Sequence, residues 1–122
     1  MRKELESRLI DFSVLIFSLS KSVEKEFFGT YLINQLLRSS ASAALNYGEA
    51  QSAETKKDFI HKIGLVLKEL RESNVNIQIL DKVKLAKDEN IMRKVEDESH
   101  QLVSIFYRTI QTAKKTPNNC TI

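Results

Sequence analysis

Residues 35–73 read QLLRSSASAALNYGEAQSAETKKDFIHKIGLVLKELRES, and the fold turns on how this stretch reverses direction. On its first limb Tyr31, Ile33, Leu36, Leu37, Ser40, Ala43, Ala44 and Tyr47 continue with helical spacing. On its second limb Phe59, Ile63, Val66, Leu70, Ile77 and Leu80 repeat that spacing, with Ser73 in the step left open. Between them Thr55-Lys56-Lys57-Asp58 has the form of a capping box, with Asp where Glu or Gln is usual. Two helices joined by so short a turn lie antiparallel. The run Ser39-Ser40-Ala41-Ser42-Ala43-Ala44 lets a neighbouring helix approach closely. Serine lowers helix propensity, so close packing has to justify the run, and it reads as a tight contact seam.

Outward from this hairpin the pattern repeats. Upstream, Leu5, Leu9, Phe12, Ile16, Leu19 and Val23 form one helical stripe. Ile10, Val14 and Phe17 widen the apolar surface beyond that stripe, Leu15 lies further round, and Val75 and Ile79 add a similar excess to the third helix. Gly29 followed by Thr30 reads as a stop and an N-cap for the second helix. Downstream, the lysine-rich connection at 81–87 leads to Asp88 as the cap of a fourth helix, whose stripe is Met92, Val95, Ser99, Leu102, Phe106, Ile110 and Ala113. The expected class is all-α, an antiparallel up-down-up-down four-helix bundle with helices at about 4–22, 30–51, 55–81 and 88–114. Residues 1–115 form a single domain in this reading, and 116–122 a flexible C-terminal tail.

Composition narrows the function classes. Three Gly and one Pro in 122 residues leave long helices uninterrupted, and 122 residues bury one core, not two. No apolar run has the roughly 18 to 20 residues of a membrane span, and the charged start Met1-Arg2-Lys3-Glu4 is not a signal peptide. The expectation is a cytoplasmic protein with no membrane attachment. Cys120, alone in a polar segment after Pro117, cannot form an internal disulfide and lacks an activating neighbour.

Catalytic and metal chemistry find little footing. Asp58/His61 and Asp97/His100 have the Asp-x-x-His spacing of bundle metal sites, but on antiparallel helices they sit about 20 Å apart along the axis. Asp97 and His100 also fall off the apolar stripe. No Gly-rich phosphate loop and no nucleophile context is present. No metal, cofactor, small-molecule substrate or enzymatic activity is expected.

Two groups of polar residues remain. Arg38, Asn46 and Glu49 interrupt the second helix where it should face its neighbours. Arg38 falls within reach of Glu69 and Glu72, so a buried ion pair and a structural polar network of Arg38, Asn46, Glu49, Glu69 and Glu72 are expected, with a ligand pocket as the alternative. Residues 56–94 carry ten basic side chains (Lys56, Lys57, Lys62, Lys68, Arg71, Lys82, Lys84, Lys87, Arg93 and Lys94) against six acidic ones. These ten are the candidate contacts to nucleic acid, although a solvated helix face explains such a run as well.

The motif Gln35-Leu36-Leu37-Arg38-Ser39, with Ser42, Asn46-Tyr47, Glu49-Ala50, Ala53-Glu54, Asp58-Phe59, Lys68-Glu69 and Glu72, resembles the four-helix bundle family first noticed as proteins encoded in intervening sequences of bacterial 23S ribosomal RNA genes. The resemblance covers the second helix, the turn and most of the third. Ala44 departs from it where Gly or Pro is common, and Asn74-Val75-Asn76 where aromatics are common. The resemblance implies a bacterial homopentamer, a barrel of bundles around a central channel, with no catalytic activity and no established role. A related branch, the accessory proteins of diversity-generating retroelements, implies an alternative: a basic subunit that binds RNA or DNA and works with a reverse transcriptase or another RNA-handling partner. The formal charge of +3 per chain would give such a pentamer about +15, enough for weak RNA attraction at low salt.

Overall fold

The computed structural model describes residues 2–115. They form four helices: α1 (Arg2–Ser20), α2 (Phe27–Ala50), α3 (Lys56–Lys82) and α4 (Glu89–Lys115). Around the ring α1 packs on α2, α2 on α3, α3 on α4, and α4 back on α1. The diagonal pairs meet only through side chains, as where the Tyr47 and Phe106 rings stand edge to face at 5.5 Å. The stripes legible in the sequence supply the core: Leu9, Phe12, Ile16 and Leu19 from α1, Leu36 and Ala43 from α2, Ile63, Val66, Leu70, Ile77 and Leu80 from α3, and Val95, Leu102 and Phe106 from α4 are all buried. No described helix is long and apolar enough to cross a membrane.

Each interface carries at least one polar tie. The Ser40 hydroxyl lies 3.5 Å from that of Ser13 between α2 and α1, and the buried hydroxyls of Ser39 and Ser73 stand 2.7 Å apart between α2 and α3. Ser99 donates to Asn74 Oδ1 at 3.2 Å between α4 and α3. Between α1 and α4, Arg8 grips Glu98 with Nε at 3.0 Å and Nη2 at 2.8 Å and also reaches Gln101. The hydroxyl pairs oppose axial slippage, because a slip of one turn would strand the buried hydroxyls of Ser39, Ser73 and Ser99.

The helix starts follow from their caps, and one differs from expectation. Thr55 Oγ1 accepts from Asp58 N–H at 3.0 Å to open α3, and Asp88 Oδ1 accepts from Ile91 N–H at 3.1 Å to open α4. α2, however, begins at Phe27, three residues before the expected Thr30: Glu26 is its N-cap and its carboxylate accepts from Gly29 N–H. Gly29 therefore does not end a helix. It is buried in the first turn of α2, where a Cβ would lie 2.8 Å from the Glu24 carbonyl oxygen and 3.2 Å from Val23 Cγ1. The glycine is needed for space, because the α1–α2 connection runs directly against it.

That connection also joins the α3–α4 connection. Val23 and Ala86 form an antiparallel bridge: Glu24 N–H donates to Leu85 O at 2.8 Å and Lys87 N–H to Ser22 O at 2.9 Å. The Lys87 ammonium stands 3.1 Å from the Glu24 carboxylate. Lys84 takes a left-handed turn, φ 58°, to bring its strand alongside. The clasp locks one end of the bundle by pairing two loops about 60 residues apart in sequence.

Candidate functional site

The polar residues expected to form one network form three separate contacts. Arg38 Nη1 lies 3.5 Å from Glu69 and Nη2 3.2 Å from Glu72. The pair is not buried as expected, since the Arg38 side chain is 52% exposed. A helix turns 100° per residue, and Arg38, two residues past the buried Leu36, points away from the core. Asn46 instead donates back to Ser42 O in its own helix at 3.0 Å. Glu49 pairs across the turn with Lys62 at 2.7 Å, about 16 Å along α2 from Arg38.

Electrostatics at these contacts follow from their surroundings. Partial burial, reinforced by Glu72, pushes the Glu69 carboxyl above its ordinary range, against the pull of Arg38. The hydrogen bond that Lys62 donates to Glu49 raises its ammonium, as the bonds donated to Glu98 raise the Arg8 guanidinium. Asp81 is the strongest influence on Arg93, which it raises. These are groups held in the charged state by partners, apart from Glu69, whose charge is penalised. None is arranged against a reacting centre.

The ten basic candidates do not converge. Lys56 and Lys82 occupy opposite ends of α3, roughly 39 Å apart. At least four of the ten are in ion pairs: Lys62 with Glu49, Lys87 with Glu24, Lys84 with Asp81, and Arg93 with Asp81, Glu89 and Glu96. Arg71 borders a groove with Tyr31, Gln35, Glu72, Val75 and Asn76, and Lys94 one with Asp11, Asp97 and Glu98. Lys57, Lys68 and Lys82 are exposed. Lys56 and Lys57 do come together, and with a residue outside the expected set, Lys114 of α4. Arg8 was equally invisible, because no local signal in the sequence points to Glu98 on the last helix. His61 and His100 are exposed on different helices. Among the described residues no three His, Cys, Asp or Glu side chains gather as a metal site would require. Cys120 lies outside the described residues.

The outer surface of α1 is of another kind. Ile10, Val14 and Phe17, at steps of four and three, are 50%, 57% and 52% exposed and share one face. Lys21 ends that face, with its ammonium 4.7 Å over the Phe17 ring. Phe27, Tyr31 and Leu45 are exposed on α2, and Val75 on α3. Leu15 and Ile79, also noted as excess, are only half-buried against the core.

Comparison with known proteins places this geometry. No curated protein matches the chain. A crystal structure of a protein of unknown function from the S23 ribosomal protein family of Bacteroides thetaiotaomicron superposes with a TM-score of 0.78 at 25% identity, covering 91% of this chain and 99% of the other. The profile of the 23S rRNA-intervening sequence protein family matches residues 4–108, which takes in α2, α3, the clasp and most of α1 and α4. The motif on α2 and α3, the four-helix ring and this match agree, and the chain belongs to the 23S rRNA-intervening sequence protein family.

Proposed function

We propose that this protein is a non-enzymatic cytoplasmic interaction protein that works as a homo-oligomer, a pentamer by family resemblance, assembled through the outer face of α1. The observation that carries this reading is the uncovered stripe Ile10, Val14 and Phe17, each half exposed or more on a single face. A helix in a lone bundle needs apolar residues only toward its core, and contiguous apolar surface on its outside is costly in water unless another surface covers it. Closed symmetric rings satisfy every copy of such a face at once. The dispersed and partly paired cations give no comparable support to a broad nucleic-acid surface.

Light scattering on the purified protein tests the assembly. With a chain mass of 14.0 kDa, a ring of five has a mass of about 70 kDa. Val14→Glu, which puts a charge into the middle of the stripe, lowers the mass toward one chain while helical circular dichroism is retained, because Val14 contributes little to the subunit core. A wild-type mass of 14 kDa, or a Val14→Glu protein that stays assembled, overturns this reading.

A further inference from the structure

A closed ring of more than two copies cannot be built from one patch meeting itself: each contact is heterologous, so every subunit presents two different faces. Ile10, Val14 and Phe17 supply only one of them. Continued at the same steps of four and three, their line along α1 runs from Lys3 through Ser7 to Lys21, all exposed. This convex ridge has a cation at either end and no acid on its line. The face that opposes it has to be concave, partly apolar and supplied with carboxylates. Among the described residues of α4, Tyr107 is the only exposed large apolar one. Leu45 lies about 21 Å along α2 from Tyr31, the next such residue on that helix. Neither place offers a matching surface.

The α2–α3 side does. There Tyr31 borders two adjoining open grooves. One encloses about 440 Å³ between α2 and α3 and is lined by Tyr31, Gln35, Arg71, Glu72, Val75 and Asn76. The other runs beside the first turn of α2, between Tyr31 and Phe27. Phe27, Tyr31 and Val75 are each more than half exposed. Each groove also has a carboxylate, Glu72 in the first and Glu26 in the second, beside one cation, Arg71 or Lys25.

We propose that these grooves receive the outer face of α1 from a second copy of this chain, with Phe17 of one subunit seated between Tyr31 and Val75 of the next. The inference rests on the assembly through α1 and names the surface that completes it. A helical ridge entering a groove between two helices is the geometry by which helices pack, and the rings of Phe17 and Tyr31 add an aromatic contact to the buried area. Lys21, its ammonium 4.7 Å over the Phe17 ring, is carried in with that ring toward Glu72, which fixes the register of the two faces. α1 and α3 are diagonal in the bundle and share no seam, so one subunit engages a neighbour through each face at once.

Two variants and their mixture test the pairing. Val75→Glu, with Tyr31→Glu as a second variant of the same face, is expected to lower the mass in light scattering from that of the wild-type assembly to one chain of 14.0 kDa, with helical circular dichroism retained. Tyr107→Glu, which puts the same charge on α4, is expected to keep the wild-type mass. Val14→Glu lacks a working α1 face and Val75→Glu a working groove, so a mixture of the two retains one intact pair of faces. Val14→Glu labelled with a fluorophore at its N-terminus is expected to bind Val75→Glu at 1:1 and to stop at two chains, about 28 kDa. It is expected not to bind Val14→Glu/Val75→Glu. If the wild type assembles and Val14→Glu does not, while Val75→Glu and Tyr31→Glu both keep the wild-type mass, α1 meets itself or another surface: the assembly stands and this inference falls. Loss of assembly in Tyr107→Glu, or no binding between Val14→Glu and Val75→Glu up to about 1 mM, also overturns it. A wild-type mass of one chain overturns the assembly itself.

Discussion

Two glycines in this chain have opposite reasons to exist. Gly64, in the middle of α3, has no heavy atom within 4 Å of the position its Cβ would take. Alanine there adds helix propensity without a clash and is expected to stabilise the fold by up to about 1 kcal/mol. Gly29 would gain the same propensity, but its added methyl meets the Glu24 carbonyl at 2.8 Å. That carbonyl belongs to a residue whose own N–H is fixed by Leu85 in the clasp, so it cannot withdraw freely. Gly29→Ala is expected to cost about 1–3 kcal/mol net. Urea unfolding checks both: the midpoint rises for Gly64→Ala and falls for Gly29→Ala, and a rise for both would mean that the α1–α2 connection does not press on α2. The sequence reading placed a stop at Gly29 because glycine ends helices more often than it starts them. The competing cause, a non-local close approach, leaves no trace in the spacing of neighbouring residues.

At the scale of elements, periodicity made the core faces legible, because burial selects apolar residues at every turn whatever the partner. The stripes of α1, α3 and α4 and the excess at Ile10, Val14 and Phe17 were readable for that reason. Thr55 and Asp88 were legible as caps in the same way, but the beginning of α2 was not, since Glu26 can cap it only because the chain enters at the right angle. Arg38 misled for a related reason: its place within a small and apolar run suggested burial, while two residues of helical rotation carry it outside. The seam through Ser39 and Ser73 can be tested as a unit. Both side chains are fully buried, with their hydroxyls 2.7 Å apart. Ser73→Ala takes the partner from Ser39, which keeps only a longer contact to Leu36 O at 3.3 Å. Either alanine alone is expected to cost about 1 kcal/mol, while the double variant costs clearly less than the sum, because both stranded groups are then gone. Additive costs in a double-mutant cycle would show that each serine is satisfied by its own helix and that the seam is held by packing alone.

The whole molecule is a ring of helices with unequal closure. α1 has 19 residues against 27 in α4, so its seam with α4 is short. The clasp fixes one end of that seam through Val23 and Ala86. Along the helices themselves Arg8 and Glu98 provide its polar tie, a two-pronged contact with side chains 35% and 25% exposed. Solvent at that exposure screens the pair, and its contribution is about 1 kcal/mol despite the favourable geometry. The first three turns of α1, far from the clasp, are therefore expected to open before the rest of the bundle, in a local transition that leaves α2, α3 and α4 packed. Hydrogen exchange separates local from global opening: in the wild type the best-protected amides of α1 are expected to exchange at a lower opening free energy than those of α3. Arg8→Ala, by taking about 1 kcal/mol from the folded state, speeds exchange roughly fivefold in both sets, because the contact is lost in the local and the global opening alike. Equal protection of α1 and α3 in the wild type would make α1 an integral part of one cooperative unit. Lower protection would make α1 the adjustable wall of the bundle, and Ile10, Val14 and Phe17 lie on that same wall, so assembly through their face would slow the exchange of α1 as protein concentration rises.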